Sequence, residues 1–343
     1  MEALATVSFD LPIRIQVPDD HVFVVHLADG QCQLRFAEKP APPRADGMRA
    51  EGFDDGKGTY VRSTANVEFQ MDVGEELPLS RDASERLQDR MRLKAWDYLA
   101  AFLRPYSHVS HHLESRVITE PEGYALRLVD PSSGETVAGF PQVTGHVSPG
   151  PLAIKATLTN RSVAQLSALL RPGSVIQLPD ELLLQAETEV RLLDDVDHAI
   201  LDVAAALEVF LDQLIEKEIH FADAKLVRRL RRKGVYTGYD RLFRVLGRPS
   251  LKDAHPRGPP VDRPLAFELL EFIFVVRNNI IHRGVNQFTL NSLKPPGYVS
   301  PYLDRHEEHD GLIVTSEVAL GLITGAREII AWVRTDGAPR REL

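Results

Sequence analysis

The chain has 343 residues, a formal net charge of −9 and a hydrophobic fraction of 43%. That length suits roughly two domains at about 150 residues each, and the net acidity excludes a protein that is basic all over, so any nucleic-acid contact has to use a local patch. The single cysteine, Cys32, excludes an intrachain disulfide and a thiolate metal site; it fits a reducing cytosol and reads as structural. The opening "MEALATVSFDLPIRIQV" has neither a basic region nor a long apolar run, and no stretch approaches the ~18 uncharged apolar residues of a membrane span, so a cytoplasmic protein without membrane contact is expected.

Strand signals dominate the first part. "TVSFDLPIRIQV", "HVFVVHL", "CQLRFA" and "YVRSTANVEFQMDV" alternate apolar and polar residues between Asp, Gly and Pro clusters, which predicts an antiparallel sheet. A helix is predicted next over "SRDASERLQDRMRLKAWDYLAAFL", with Ser80 or Asp82 as cap and Leu87, Met91, Leu93, Leu99 and Leu103 near helical spacing. Strands resume with "SRVIT", "GYALRLVD" and "ETVAGF", followed by a short helix in "SVAQLSALL" and a junction in "RPGSVIQLPD".

From about Leu182 the pattern turns helical. "LLLQAETEVRLLDDVDHAILDVAAALEVFLDQLIEKEI" reads as one long helix, since no Pro or Gly breaks it. "DAKLVRRLRRKG" and "YDRLFRVLG" follow, ended by Gly234 and Gly247. Pro264 stands in the first turn of "PLAFELLEFIFVVRNNIIHRG". A long polar loop from Val285 to Gly311 precedes a last helix, "LIVTSEVALGLITGAREIIAWVRT". The expected architecture is an α+β domain over residues 1–178 with a mostly antiparallel sheet, an all-α helical bundle over 181–335, and a tail, 336–343.

Charge is uneven within the helical half. Acids dominate from Glu181 to Asp223, and from Lys225 to Arg263 bases dominate, among them Arg228, Arg231 and Arg232. Two readings stand: the basic run is a solvated face or the partner of the acidic helix, or Arg228, Arg231 and Arg232 bind the phosphates of RNA.

The chemistry-bearing stretch is "VVRNNIIHRG", Val275 to Gly284, where an apolar helix leaves its buried surface. On a helix Asn278 and His282 share a face, whereas Arg277 and His282 are five residues apart and about 140° around from each other. Gly284 ends the helix, with His282 and Arg283 in its last turn. An imidazole ordinarily titrates near neutral pH, as a general acid or base requires, and an Arg fork matches a phosphate. Glu208 interrupts the apolar stripe Leu201, Ala204, Leu211, Ile215; either it is buried as the partner of Arg277 or it reaches solvent at the stripe's edge. Arg283 is a phosphate contact or merely a helix-end charge.

"RNNIIH" resembles the R-x4–6-H motif of the HEPN superfamily. The long first helix with its "ALE" segment, Ala206 to Glu208, the helical domain and the motif's place in the penultimate helix agree with it. The resemblance spans roughly Glu181 to Thr335; nothing in the first 180 residues takes part. It implies a HEPN-like bundle that forms a homodimer with two motif helices facing each other. It also implies a metal-independent endoribonuclease in which Arg277 and His282 form the active site with Asn278 supporting them; Glu208 as a supporting partner of Arg277 and Arg283 as an RNA contact are the residue-based candidates beside it. Such proteins serve as toxins or in defence against phage, so an antitoxin or activating partner at the N-terminal domain is a further expectation. The alternative is a non-catalytic module that only dimerises or binds RNA. No cofactor and no metal are expected. Two other His clusters, His108, His111 and His112 in "SHVSHH" and His306, Glu307, Glu308 and His309 in "RHEEHD", read as loop residues rather than metal ligands.

Overall fold

The computed structural model describes residues 2–18, 21–40, 61–73, 81–116, 118, 121, 123–140, 143–144, 157–218, 235–253, 266–284, 287–289, 303–306 and 311–335. The chain divides into two compact units, Met1–Ile176 and Gln177–Leu343.

In the first unit, strands β1 (Glu2–Leu11), β2 (Phe23–Leu27), β3 (Gly30–Pro40), β4 (Val61–Asp72), β5 (Gly123–Val129) and β6 (Thr136–Gly139) join in the order β2-β3-β4-β1-β5-β6. Every pair is antiparallel, and a short β7 (Val143–Thr144) also pairs with β5. Period-two patterning sets the register. Ala3, Ala5, Val7, Phe9 and Leu11 of β1 are buried, and Val7 lies opposite Val67 on one side and Leu126 on the other. The strand stops at Leu11 because Pro12 has no N–H for the ladder.

Helix α1 (Arg81–Ser110) packs on this apolar face. Its buried stripe is Leu87, Met91, Ala95, Leu99, Phe102 and Tyr106, at spacings of three and four. Leu93, expected in that stripe, is 54% exposed, because a residue two after Met91 sits about 200° round the helix. Asp82 lies inside the first turn rather than capping it, and Ser80 falls outside the described residues. The helix also continues through Pro105 to Ser110, where a loop was expected. A helix-interior proline costs about 3 kcal/mol, but each fully buried neighbour, Phe102 and Tyr106 among them, returns about 1.5–3 kcal/mol. Ser115 and Arg116 of "SRVIT" lie in a 3₁₀ turn, Leu113–Arg116, not in a strand; the Ser115 hydroxyl, inside the turn, donates back to the carbonyl of His112. Helix α2 (Asn160–Leu169) is capped by Thr159, whose hydroxyl accepts from the Ser162 N–H.

The second unit is mostly helical: α3 (Leu178–Thr188), α4 (Val196–Glu218), α5 (Val235–Val245), α6 (Ala266–Arg283) and α7 (Ser316–Thr335) enclose one core. The long first helix is broken in two. A π-turn, Glu189–Leu193, leads to Asp194 in the left-handed region (φ 53), and Asp195 then caps α4 by accepting from the His198 N–H. An Asp tolerates both left-handed backbone and the cap position, so no Gly or Pro is needed for the break.

The unit is also not all-α. Strands β8 (Gln287–Thr289), β9 (Leu303–His306) and β10 (Gly311–Val314) form a small sheet, order β8-β10-β9, inside what was expected as loop and helix start. Leu312, Ile313 and Val314 extend because Thr315 provides the cap for α7, its hydroxyl accepting from the Val318 N–H. Gly247 and Gly284, both with φ 68, follow α5 and α6 in the left-handed conformation that ends helices without a Cβ clash. Among the described residues no helix is long and apolar enough to cross a membrane.

Candidate functional site

Helix α6 is buried almost all round over its first three turns, through Leu269, Leu270, Phe272, Ile273, Phe274 and Val276. After Val276 only Ile280 remains in the core, so Arg277, Asn278, Ile281, His282 and Arg283 come out at the helix end. One Arg277 nitrogen, Nη2, donates to Oε2 of Glu208 on α4 at 3.5 Å, and Nη1 donates to Oδ1 of the adjacent Asn278 at 3.1 Å. Glu208 therefore partners Arg277, yet it is not buried: the side chains are 28% and 30% exposed for Arg277 and Glu208. At that exposure the pair is worth at most about 1 kcal/mol, so its main effect is to fix the direction of the guanidinium, which keeps further N–H donors for a ligand.

Asn278, His282 and Arg283 are exposed, and His282 makes no hydrogen bond to a described residue. The Gly284 N–H closes the last turn on the Ile280 carbonyl at 2.9 Å, holding His282 in a regular helix end. Arg277 and His282 are about 7.5 Å apart along the axis and about 140° apart around it. Within one chain they present two edges of a helix terminus. Ile281 stands between them on the surface, 52% exposed. It was not singled out beforehand, although two adjacent Ile residues on a 3.6-residue period cannot both reach one core.

Arg228, Arg231 and Arg232 lie outside the described residues. Three described members of the basic run, Arg244, Arg248 and Lys252, make contacts within the fold. Arg244 pairs with Asp240 at 3.2 Å, buried Arg248 donates to the Val333 carbonyl, and Lys252 lies over the Phe267 ring. Asp240 itself accepts from the Ser250 hydroxyl and the Leu251 N–H, which ties α5 to the turn that follows it.

A second polar cluster sits where α3 gives way to α4. The His198 ring Nδ1 and Asp195 Oδ2 are 2.7 Å apart, and the Ser316 hydroxyl at the start of α7 donates to Asp194 at 3.3 Å. The hydrogen bond and charge of Asp195 hold the His198 imidazole above its ordinary range, and the His198 backbone N–H and ring hold Asp195 below the usual carboxylate range. Burial raises both Glu189 and Asp202. Near it, burial would raise Glu187 as well, but Arg327 and Arg191 together bring its carboxyl below the ordinary value.

Of the N-terminal candidates, Cys32 and His112 are buried, whereas His108 is part-exposed and His111 is exposed. Burial pushes the Cys32 thiol up to about 12, which leaves it without thiolate character. His112 is 2% exposed, against the Tyr106 ring with its Nδ1 3.3 Å from that hydroxyl. Among the described residues no group of three or more His, Cys, Asp or Glu side chains is arranged to hold a metal ion. The side chain of His306 and residues 307–309 lie outside the described set. Comparison of the chain with family models, with curated proteins and with solved structures finds no match.

Proposed function

We propose that the unit Gln177–Leu343 is a metal-independent endoribonuclease whose active site is shared across a homodimer. The observation that carries the reading is the exposed end of α6, where a braced guanidinium, an amide and an exposed imidazole emerge together from an otherwise buried helix. The 2′-hydroxyl of RNA attacks the adjacent phosphorus as His282 of one copy takes its proton or, at the other end of the reaction, protonates the leaving 5′-oxygen. The P–O5′ bond breaks, leaving a 2′,3′-cyclic phosphate and a 5′-hydroxyl. Arg277 holds the non-bridging oxygens as charge builds, Asn278 and Glu208 orient it, and Arg283 contacts a neighbouring phosphate, with Arg228, Arg231 and Arg232 extending the RNA path.

Sharing across two copies answers the geometry. Arg277 and His282 of one helix point about 140° apart, so an antiparallel pairing of two α6 ends supplies the Arg of one copy beside the His of the other. Ile281 between them supplies apolar contact for that pairing. As a toxin or phage-defence effector such an enzyme needs restraint, and we assign an antitoxin or activating partner to the N-terminal unit.

The test is cleavage of RNA in EDTA with analysis of the ends. His282→Ala and Arg277→Ala should each lower the rate about 10²-fold or more, and RNA with a 2′-deoxy nucleotide at the scissile position should resist. Mixing the two variants should restore part of the activity, because a mixed dimer rebuilds one intact site. The enzyme reading is falsified if neither variant slows cleavage, and sharing fails if the mixture stays as inactive as its components. A second reading has its own observation: Arg277 is engaged by Glu208 and Asn278 even without ligand, as a purely structural contact would be. RNA binding without any cleavage favours that non-catalytic module.

A further inference from the structure

The first unit holds a cavity of about 350 Å³ bounded by β2, α1, the end of α2 and the turn that follows it. We infer that this cavity is a binding site for a small organic phosphate, a mononucleotide-sized molecule with a flat apolar body and one phosphoryl group. Three observations converge on that class. The size falls at the lower end of the range of about 300–1,000 Å³ that small-molecule sites occupy.

The electrostatics favour an anion. In a chain of net charge −9, Arg104, Arg171 and His26 line the cavity, and no carboxylate is among its described lining residues. Arg171 has no acidic partner among the described residues, and the His26 side chain is bonded to none of them. An Arg in a chain rich in acids is ordinarily claimed by one, as Arg334 is by Asp180 and Arg327 by Glu187. The Arg171 guanidinium, with Arg104 also in the lining, matches the oxygens of a phosphate with charge-assisted hydrogen bonds.

The wall behind the cations is apolar and preformed. Val25, Pro105 and Leu170 are buried side chains that also line the cavity, a surface on which a ring can lie. The turn that closes the site is pinned: the Ser174 N–H donates to the Arg171 carbonyl at 3.1 Å, and its hydroxyl donates to the Ala168 carbonyl at 2.7 Å. Little has to be ordered on binding, which favours affinity.

Isothermal titration of the full chain with AMP, GMP, CMP and UMP tests this, with the matching nucleosides and inorganic phosphate as arms lacking one half of the ligand. At least one nucleotide should bind more tightly than about 1 mM, and its nucleoside about tenfold more weakly or not at all. Arg171→Glu, an exposed change, should weaken the nucleotide about tenfold or more, and Ala101→Phe should block it by filling the cavity. Arg277→Ala should leave this binding unchanged, which separates the site from the proposed nuclease centre. The inference is overturned by no binding below about 1 mM for any of the four, by a nucleoside binding as well as its nucleotide, or by binding that survives Arg171→Glu and Ala101→Phe but is lost in Arg277→Ala.

Discussion

In the N-terminal unit Tyr98, Tyr106, His112 and Cys32 lie inside a core of sheet and helix, and burial pushes the two phenols and the thiol up to about 12. In the C-terminal unit the side chains with comparable chemical reach, Asn278, His282 and Arg283, stand on the surface at a helix end. The first arrangement turns polar groups into structure: the Tyr106 hydroxyl accepts from the Gln16 N–H at 3.0 Å and so ties α1 to the chain after β1. The second engages only Asn278, through Arg277, and leaves His282 and Arg283 without a hydrogen bond to a described residue, which costs little stability and keeps the group open to a substrate. A residue's chemistry therefore says less about its role than whether the fold has used its hydrogen bonds.

The comparison breaks most decisively in the core. Phe102 is 0% exposed, stacks on Tyr106 and meets Phe23 and Phe36 at ring distances of 5.0 and 4.8 Å. Phe102→Ala should destabilise the first unit by about 3–5 kcal/mol through lost transfer energy and a cavity. The chain's two tryptophans read the units separately: Trp96 lies edge-on to Phe9 in the first, and Trp332 is buried in the second. In variants retaining only one Trp, the Trp96 midpoint in denaturant should fall and the Trp332 midpoint should stay. Equal shifts would mean that the units unfold together and that their contrast is not one of independent cores.

A smaller effect sharpens the polar side of the contrast. Tyr106→Phe removes the acceptor for the buried Gln16 N–H and the contact with His112, and should cost about 1–3 kcal/mol, read by Trp96. The same removal of a polar group at the C-terminal site, Asn278→Ala, should leave the Trp332 midpoint nearly unchanged because Asn278 is exposed. A large loss there would make the α6 end a structural cluster instead of a binding one.

What the sequence discloses follows the same division. The period-two patterning of β1 to β5, the core of the long N-terminal helix, the apolar run of α6 and its Gly284 stop are local patterns that lie where their spacing puts them, whereas the start of "SRVIT" forms a 3₁₀ turn and Leu93 faces solvent. The break at Asp194 was invisible because only the backbone conformation reveals an Asp in the left-handed region. The β8-β10-β9 sheet depends on pairing strands of three and four residues across a separating segment, too short for periodicity to register. At the candidate site the residue types were readable, and the stripe left two places for Glu208, buried against Arg277 or at the solvent edge; it meets Arg277 while staying part-exposed. The exposure of Ile281 followed from helical period once α6 was bounded. The cavity lined by His26, Arg104 and Arg171 was not readable at all, since three separate elements contribute to it.

The smallest expected effect lies at the α3–α4 junction, where the carboxylates of Glu189 and Asp202 are partly buried. Burial lifts Glu189 above the ordinary carboxyl range, so the folded chain holds that proton more tightly than the unfolded chain. Stability from this group is therefore greatest on the acidic side and falls as pH rises through the folded value; Asp202, also raised by burial, acts in the same direction. His198, raised by Asp195, contributes stability below its ordinary imidazole range that is lost as pH rises through its folded value. Asp195 is lowered, so its contribution is present above the ordinary carboxylate range and lost on acidification. Glu189→Gln keeps the oxygen that accepts from Gln185 at 3.2 Å and removes the charge. The variant should be slightly more stable than the parent near pH ~7, and the gain should shrink toward pH ~4 as the parent's carboxyl takes up its proton. Denaturation followed by Trp332 across that range checks it. A gain that is constant with pH would show that packing, not ionisation, governs the junction, and would return these carboxylates to the class of ordinary solvated charges.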